Sequence, residues 1–236
     1  MSEKITDDLS RSVQDYLKAI YYHTRCGEPI GTVELARTLS VEPASVTNML
    51  QKLVAYNPSL VEYQKHRGAS LTAAGEMVAL RMIRRHRLLE QFLQEVLGYS
   101  WEMVHQEAEE LEHVISPYME DRIAAVLGEP LYDPHGEPIP NRSLELFVDP
   151  NFIPLDRLQA GDIGRVRQLD GRQEELFEYF TSIGLQLGTA IRITQRNPVD
   201  GTLRFVLDEG ADEQVIGPKI AQAVLVELAP LPESGR

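Results

Sequence analysis

The chain has 236 residues, 43% of them hydrophobic, with a formal net charge of −13 at pH 7 and one cysteine. That apolar content suffices for one large domain or two to three small ones. No run of about 18 apolar residues is present to span a membrane, and the polar start MSEKITDDLSR is unlike a secretory signal, so the expected location is cytoplasmic. Cys26 alone excludes an intrachain disulfide and a cysteine-built zinc site, leaving a structural or incidental thiol.

From Leu9 to Thr24, Val13, Leu17, Ile20 and Tyr21 recur at helical spacing and predict a first helix. Gly27, Pro29 and Gly31 break it, and Thr32 is placed as the N-cap of a short second helix with Leu35, Ala36 and Leu39 inward. Pro43 then suits the first turn of a third helix whose inner face is Val46, Leu50 and Leu53. Val61, Tyr63 and Leu71 sit near alternating positions around the tip HRGA, as in a two-stranded hairpin. Helix, short helix, helix and hairpin outline a winged helix-turn-helix, with an arbitrary small helical domain as the bland alternative. Ala73 to Leu127 reads as helical with one break at Gly98, and its broad apolar stripes call for a partner. The proline- and glycine-rich stretch from Gly128 to Pro154 reads as a linker. Beyond it GDIGRVRQL, TAIRITQR and LRFVLDEG alternate as strands of a small β-barrel-like domain.

A net acid excess argues against a nucleic-acid partner, so the distribution of charge matters. Between Tyr63 and Glu90 six basic residues (Lys65, Arg67, Arg81, Arg84, Arg85, Arg87) face two acidic ones, which predicts a local basic surface. Between Trp101 and Glu137 ten acidic residues stand against Arg122 alone. Within that acid-rich block, VHQEAEELEHV places His105, Glu109, Glu112 and His113 at spacings of four, three and one, on one face of a helix. A solvated acidic face is the ordinary fate of such helices, but two histidines among the carboxylates make a set that a divalent cation stabilises. His86 and Glu90, four apart, form a second pair, and facing helices are where helical domains build metal centres.

Taken together, QDYLKAIY, VEPASVTNMLQKL, RRHRLLEQFL, EAEELEHVIS and DPHGEPIP resemble the diphtheria toxin repressor family of iron- and manganese-dependent transcription regulators, in the same order over about residues 10 to 140. AGDIGRV and SIGLQLGT resemble the SH3-like domain of its three-domain members, which is related to a small ferrous-transport protein. The resemblance implies a mainly α fold with a small all-β domain. It divides the chain into a winged helix-turn-helix at 1–75, a helical dimerisation and metal-binding domain at 76–145, and an SH3-like barrel at 155–231. It implies a primary metal site of Asp15, Glu109, Glu112 and His113, and an ancillary site of His86, Glu90 and His105. Gln173, Glu174 or Glu175 is a further ancillary candidate. Carboxylates at Asp15 and Glu109, where the iron-responsive branch carries methionine and cysteine, favour Mn(II), with Fe(II) the alternative. Lys18 departs from the manganese-type members without a third domain, which carry an acidic ligand there, and this argues against a close two-metal centre.

The expected function is a homodimeric, metal-activated repressor of metal-uptake genes that binds double-stranded operator DNA, with no catalysis and no membrane partner. Asp15 lies in the DNA-binding block and the other primary ligands in the dimerisation block, so a bound ion would fix the separation of two recognition helices near one DNA turn, about 34 Å. In the metal-free chain, repulsion among Asp15, Glu109 and Glu112 would favour an open arrangement. Ala44, Ser45, Thr47 and Asn48 are the candidate base readers, with Gln51 and Lys52 on the third helix and Lys65 and Arg67 on the wing against phosphate. A metal-dependent hydrolase lacks support, since no HExxH, phosphate loop or nucleophile motif is present. A metal-buffering or transport-accessory protein is the remaining alternative.

Overall fold

In a computed structural model, residues 8–228 are described apart from 26, 101, 102, 171–173, 209 and 211. Cys26 and Gln173 therefore lie outside the described residues. Two compact units emerge, Met1–Leu131 with Ile139–Leu146 and Tyr132–Pro138 with Phe147–Arg236.

The first unit begins with α1 (Arg11–Thr24), α2 (Thr32–Thr38) and α3 (Pro43–Val54), followed by the hairpin β1 (Val61–Gln64) and β2 (Gly68–Leu71). Their apolar faces share one core in which Val13, Leu17, Ile20, Leu35, Val46, Leu50 and Leu53 are fully buried. Helix α2 starts at Thr32 itself, capped by the extended backbone of Gly31 with no side-chain hydrogen bond, so Thr32 is not the N-cap. The hairpin pairs Val61 with Leu71 and Gln64 with Gly68, and Ala69 exchanges two backbone hydrogen bonds of 2.9 Å with Ile30. The Ile30 backbone passes so close that a Cβ on Gly68, whose φ is +101°, would lie 2.5 Å from the Ile30 carbonyl oxygen. The wing is thus anchored next to its turn and leaves Lys65, His66 and Arg67 exposed at its tip.

Three helices complete this unit: α4 (Ala73–Glu95), α5 (Val104–Leu111) and α6 (Pro117–Val126). Thr72 caps α4 by accepting from the Gly75 amide. A second break, beyond the one at Gly98, separates α5 from α6, because Pro117 and the capping Ser116 start a new helix. Leu88, Leu89, Leu93, Val104, Ala108, Ile123, Ala124 and Ile139 form the core between them.

The arginines of α4 overturn the expected basic surface. Arg81, Arg84, Arg85 and Arg87 are all at most 7% exposed. Three of them converge on the buried carboxylate of Glu120 from α6, through Arg81 Nη1 at 3.3 Å, Arg84 Nε at 3.0 Å and Arg85 Nε at 3.1 Å. Arg84 also donates to the Pro140 carbonyl at 2.7 Å. A charge in the interior needs a partner, and here the helix facing α4 supplies it. Of the six basic residues in that stretch, only Lys65 and Arg67 are exposed.

The second unit is an antiparallel sheet of six strands in the order β3 (Phe152–Pro154), β8 (Val224–Leu228), β4 (Ile163–Leu169), β5 (Ala190–Arg196), β6 (Leu203–Leu207) and β7 (Gln214–Ile216). The three-residue strands β3 and β7 are its edges and do not pair with each other, so the expected barrel is an open, SH3-like sheet. Alternate side chains Val166, Ile191, Ile193, Leu203, Phe205, Val224 and Val226 build its core. Helix α7 (Glu174–Ser182) follows β4 and buries Phe180, and α8 (Pro218–Ala221) precedes β8. Neither helix is evident from the strand alternation. No described helix is long and apolar enough to cross a membrane.

Candidate metal centre

Three helices bring the ligand-type side chains together. Helix α1 supplies Gln14, Asp15 and Lys18, α4 supplies His86 and Glu90, and α5 supplies His105 and Glu109. Glu112 is the C-cap of α5 and His113 follows it, so the last two ligands lie where the helix ends rather than within it.

The donor atoms sort into two groups. Asp15, Glu112 and His113 form one, with His113 Nε2 at 3.1 Å from Asp15 Oδ1 and 3.5 Å from Glu112 Oε1. His86, His105 and Glu109 form the other, with Glu109 Oε1 at 4.0 Å from His86 Nδ1 and 3.9 Å from His105 Nε2. Glu90 Oε1 lies 3.0 Å from both His86 Nε2 and His105 Nδ1. The two rings meet edge to face, with centroids 4.8 Å apart. The structure thus brings together all seven residues picked out by spacing and resemblance, but it places Glu109 with the second group rather than with Asp15. The side chains of Glu174 and Glu175 lie outside the described residues.

Two residues beyond the seven candidate ligands complete the centre. The first is Gln14, 3% exposed, whose Oε1 lies 2.7 Å from His113 Nδ1 and whose amide nitrogen donates to the Leu9 carbonyl at 3.4 Å. That network assigns the amide oxygen to the histidine, so Nδ1–H donates to Gln14 and Nε2 is the ring atom turned toward the site. Nε2 is buried without a hydrogen-bond partner and faces the oxygens of Asp15 and Glu112. Two carboxylate oxygens and an imidazole nitrogen converging on one point are a set that a divalent cation can hold together, so the donor set fits a metal ion. A glutamine one residue before a candidate ligand carries no sequence signal for such a role.

The second is Lys18. Its Nζ lies 2.7 Å from Glu109 Oε1 and 2.7 Å from Glu112 Oε1. Burial works to lower its pKa, but Glu112 and Glu109 outweigh burial and hold the ammonium above the ordinary lysine range. Burial likewise opposes ionisation of Glu109, and Lys18 and His86 overcome it, leaving that carboxyl below its usual range. The other oxygen of Glu112, Oε2, accepts from His86 Nδ1 at 2.6 Å. Burial acts against a charged His86, yet Glu90 and the hydrogen bond to Glu112 push its pKa up to about 10. On the surface, Arg11 makes a bidentate pair with Glu110 at 2.8 and 3.0 Å. The expected repulsion between α1 and α5 is therefore partly neutralised by the chain's own cations.

The candidate DNA-facing residues are mostly exposed. Ala44, Ser45, Asn48, Gln51 and Lys52 are exposed on α3, Thr47 is half-buried and donates to the Pro43 carbonyl at 3.2 Å, and the inner face of Val46, Leu50 and Leu53 is buried. Lys65 and Arg67 occupy the wing tip.

The family model for the iron dependent repressor N-terminal DNA binding domain matches residues 8–69. That for the iron dependent repressor metal binding and dimerisation domain matches 72–141, and the FeoA domain model matches 153–228. The iron-dependent repressor IdeR of Mycobacterium leprae is 33% identical over 231 residues, covering 94% of this chain and 99% of that protein. The HTH-type transcriptional regulator MntR of Lysinibacillus sphaericus is 38% identical over 113 residues, covering 48% of this chain and 79% of that one. A solved structure described as a manganese-dependent transcriptional repressor in complex with manganese superimposes with a TM-score of 0.81 at 35% identity, covering 92% of this chain and all of that one.

Proposed function

Because the chain belongs to the iron-dependent repressor family of metal-dependent transcription regulators, we propose that it is a Mn(II)-responsive repressor that binds operator DNA as a homodimer. The observation that carries this reading is the convergence of Asp15 from α1 with Glu112 and His113 at the end of α5, around the buried Nε2 of His113. A bound divalent ion supplies the positive charge that holds these three donors at one point.

The residues then have separable tasks. Asp15 belongs to the helix that packs in one core with α2 and α3, so its position reports on the DNA-reading surface. Glu112 and His113 belong to the half of the unit that carries α6, whose exposed Tyr118, Met119 and Val126, together with Val114 just before it, offer an apolar face for a second copy. Gln14 holds the His113 ring with Nε2 toward the site. His86, Glu90 and His105 serve as an ancillary site within reach of Glu109. Oxygen and imidazole donors with no sulfur favour Mn(II), and the manganese-complexed repressor among the solved structures supports the same metal. An Fe(II) response is favoured by the similarity to IdeR, a protein named as iron-dependent.

The test is anaerobic operator binding titrated separately with Mn(II), Fe(II) and Zn(II), with a chelator control. Mn(II) is expected to give the largest gain. Glu112→Ala or His113→Ala is expected to remove the response while the protein stays folded and dimeric. Equally tight operator binding in chelator and in metal would overturn the reading.

A further inference from the structure

Two basic residues of α1, Arg11 and Lys18, pair with carboxylates at α5, and the two differ in kind. Arg11 and Glu110 are 51% and 66% exposed at their side chains, so that pair adds little. Lys18 is 12% exposed and one of its partners, Glu112, is 1% exposed. Its ammonium holds one oxygen of Glu109 and one of Glu112 at once. Those are the Glu109 oxygen nearest His86 and His105 and the Glu112 oxygen nearest His113. One fixed cation therefore touches a donor atom in each of the two candidate groups.

Resting on the metal-repressor reading, we propose that Lys18 is a built-in cation that sets the metal threshold. It holds α1 against α5 in the metal-free chain, and it competes with incoming metal for Glu109 and Glu112. Four carboxylates, Asp15, Glu90, Glu109 and Glu112, line the centre, and Lys18 is the ammonium set among them. With it in place the two helices keep an electrostatic tie that survives chelation. A divalent ion must then either displace the ammonium from an oxygen or bind beside it against like-charge repulsion, and both lower metal affinity.

The two roles pull in opposite directions on substitution, which separates them from a plain structural role. Lys18→Met keeps the stem and removes the charge. In chelator, hydrogen exchange of the α5 amides is expected to quicken by about tenfold as the tie is lost. In calorimetric titration, Mn(II) affinity is expected to rise by at least about tenfold as the competitor is lost. General damage to the fold would instead lower both protection and affinity, and that result overturns the proposal. Lys18→Arg retains the cation and is expected to match the parent in both measurements. Parent-like protection and affinity in Lys18→Arg sustain the proposal even if the methionine variant fails to fold, and Met-like behaviour in it overturns the proposal. Exchange in chelator needs neither metal nor operator, so a parent chain that binds no Mn(II) would sink the repressor reading while this limb still decides whether Lys18 is the tie.

Discussion

Replacing Gln14 by leucine removes the acceptor of the 2.7 Å hydrogen bond to His113 Nδ1 while roughly keeping side-chain volume. The ring sits beside its two candidate co-ligands, with Nε2 at 3.1 Å from Asp15 Oδ1 and 3.5 Å from Glu112 Oε1. The easiest repair for a stranded Nδ1–H is to move the proton to Nε2, where Asp15 accepts it, and that tautomer has no lone pair for a cation. Leaving a buried donor unsatisfied costs about 1–3 kcal/mol, and loss of a residue that orients a metal-binding histidine typically weakens metal affinity by about 10–100-fold. The two ranges agree, since a tenfold change is about 1.4 kcal/mol. The assay is competitive Mn(II) binding against a fluorescent chelator at fixed pH, with Gln14→Glu beside it because a carboxylate keeps the acceptor. Leucine is expected to weaken Mn(II) by about 10–100-fold, and glutamate to lose less. An unchanged affinity in Gln14→Leu would show that the tautomer at His113 is set elsewhere.

Glu120→Ala leaves Arg81, Arg84 and Arg85 without their common carboxylate. Urea unfolding of the metal-free protein is expected to show a loss of about 3–5 kcal/mol, and a loss below about 1 kcal/mol would refute the view that this ion cluster sustains the α4–α6 contact. Removing Lys65 and Arg67 from the wing is expected to weaken operator and scrambled duplexes alike and to flatten the dependence of log affinity on log salt by up to about two units per subunit; Asn48→Ala is expected to cost about 1–3 kcal/mol on the operator alone, and equal losses on both duplexes would reject it as a base reader. His86 has a folded pKa near 10, raised above its ordinary 6.5, so its protonated form stabilises the metal-free protein fully below about pH 6.5 and the gain is lost as pH rises through about 10. Metal binding at His86 must expel that proton, so titrations at pH 7.5 in buffers of different ionisation heat are expected to report about one proton released, and affinity to climb with pH. No proton release would show that His86 is neutral or is not a ligand.

Much of this architecture follows from spacing along the chain. The apolar faces of α1 and α3, the proline that opens α3, the turn at the wing tip and the four-three-one spacing from His105 to His113 are local patterns. Helix and strand periods convert them directly into faces. The same logic reached the strands β4, β5 and β6 but passed over α7, a nine-residue helix inside a strand-rich block.

What spacing could not decide was which group each charge would meet. A run of arginines between residues 81 and 87 reads as a basic surface when charges are counted along the chain, yet Glu120, some 36 positions after Arg84, takes Arg81, Arg84 and Arg85 as buried partners. Lys18 looked like a residue that merely vacates a ligand position, and the packing of both α1 and α5 on α4 makes it the counter-ion of two candidate ligands. Glu109 shares a helical face with Glu112 and His113, yet its donor atom groups with His86 and His105 while Glu112 and His113 group with Asp15 from α1. Helical periodicity is set by backbone geometry within a few residues. The partner of a buried charge is set by desolvation, which forces it to whatever opposite charge the tertiary fold brings within about 4 Å.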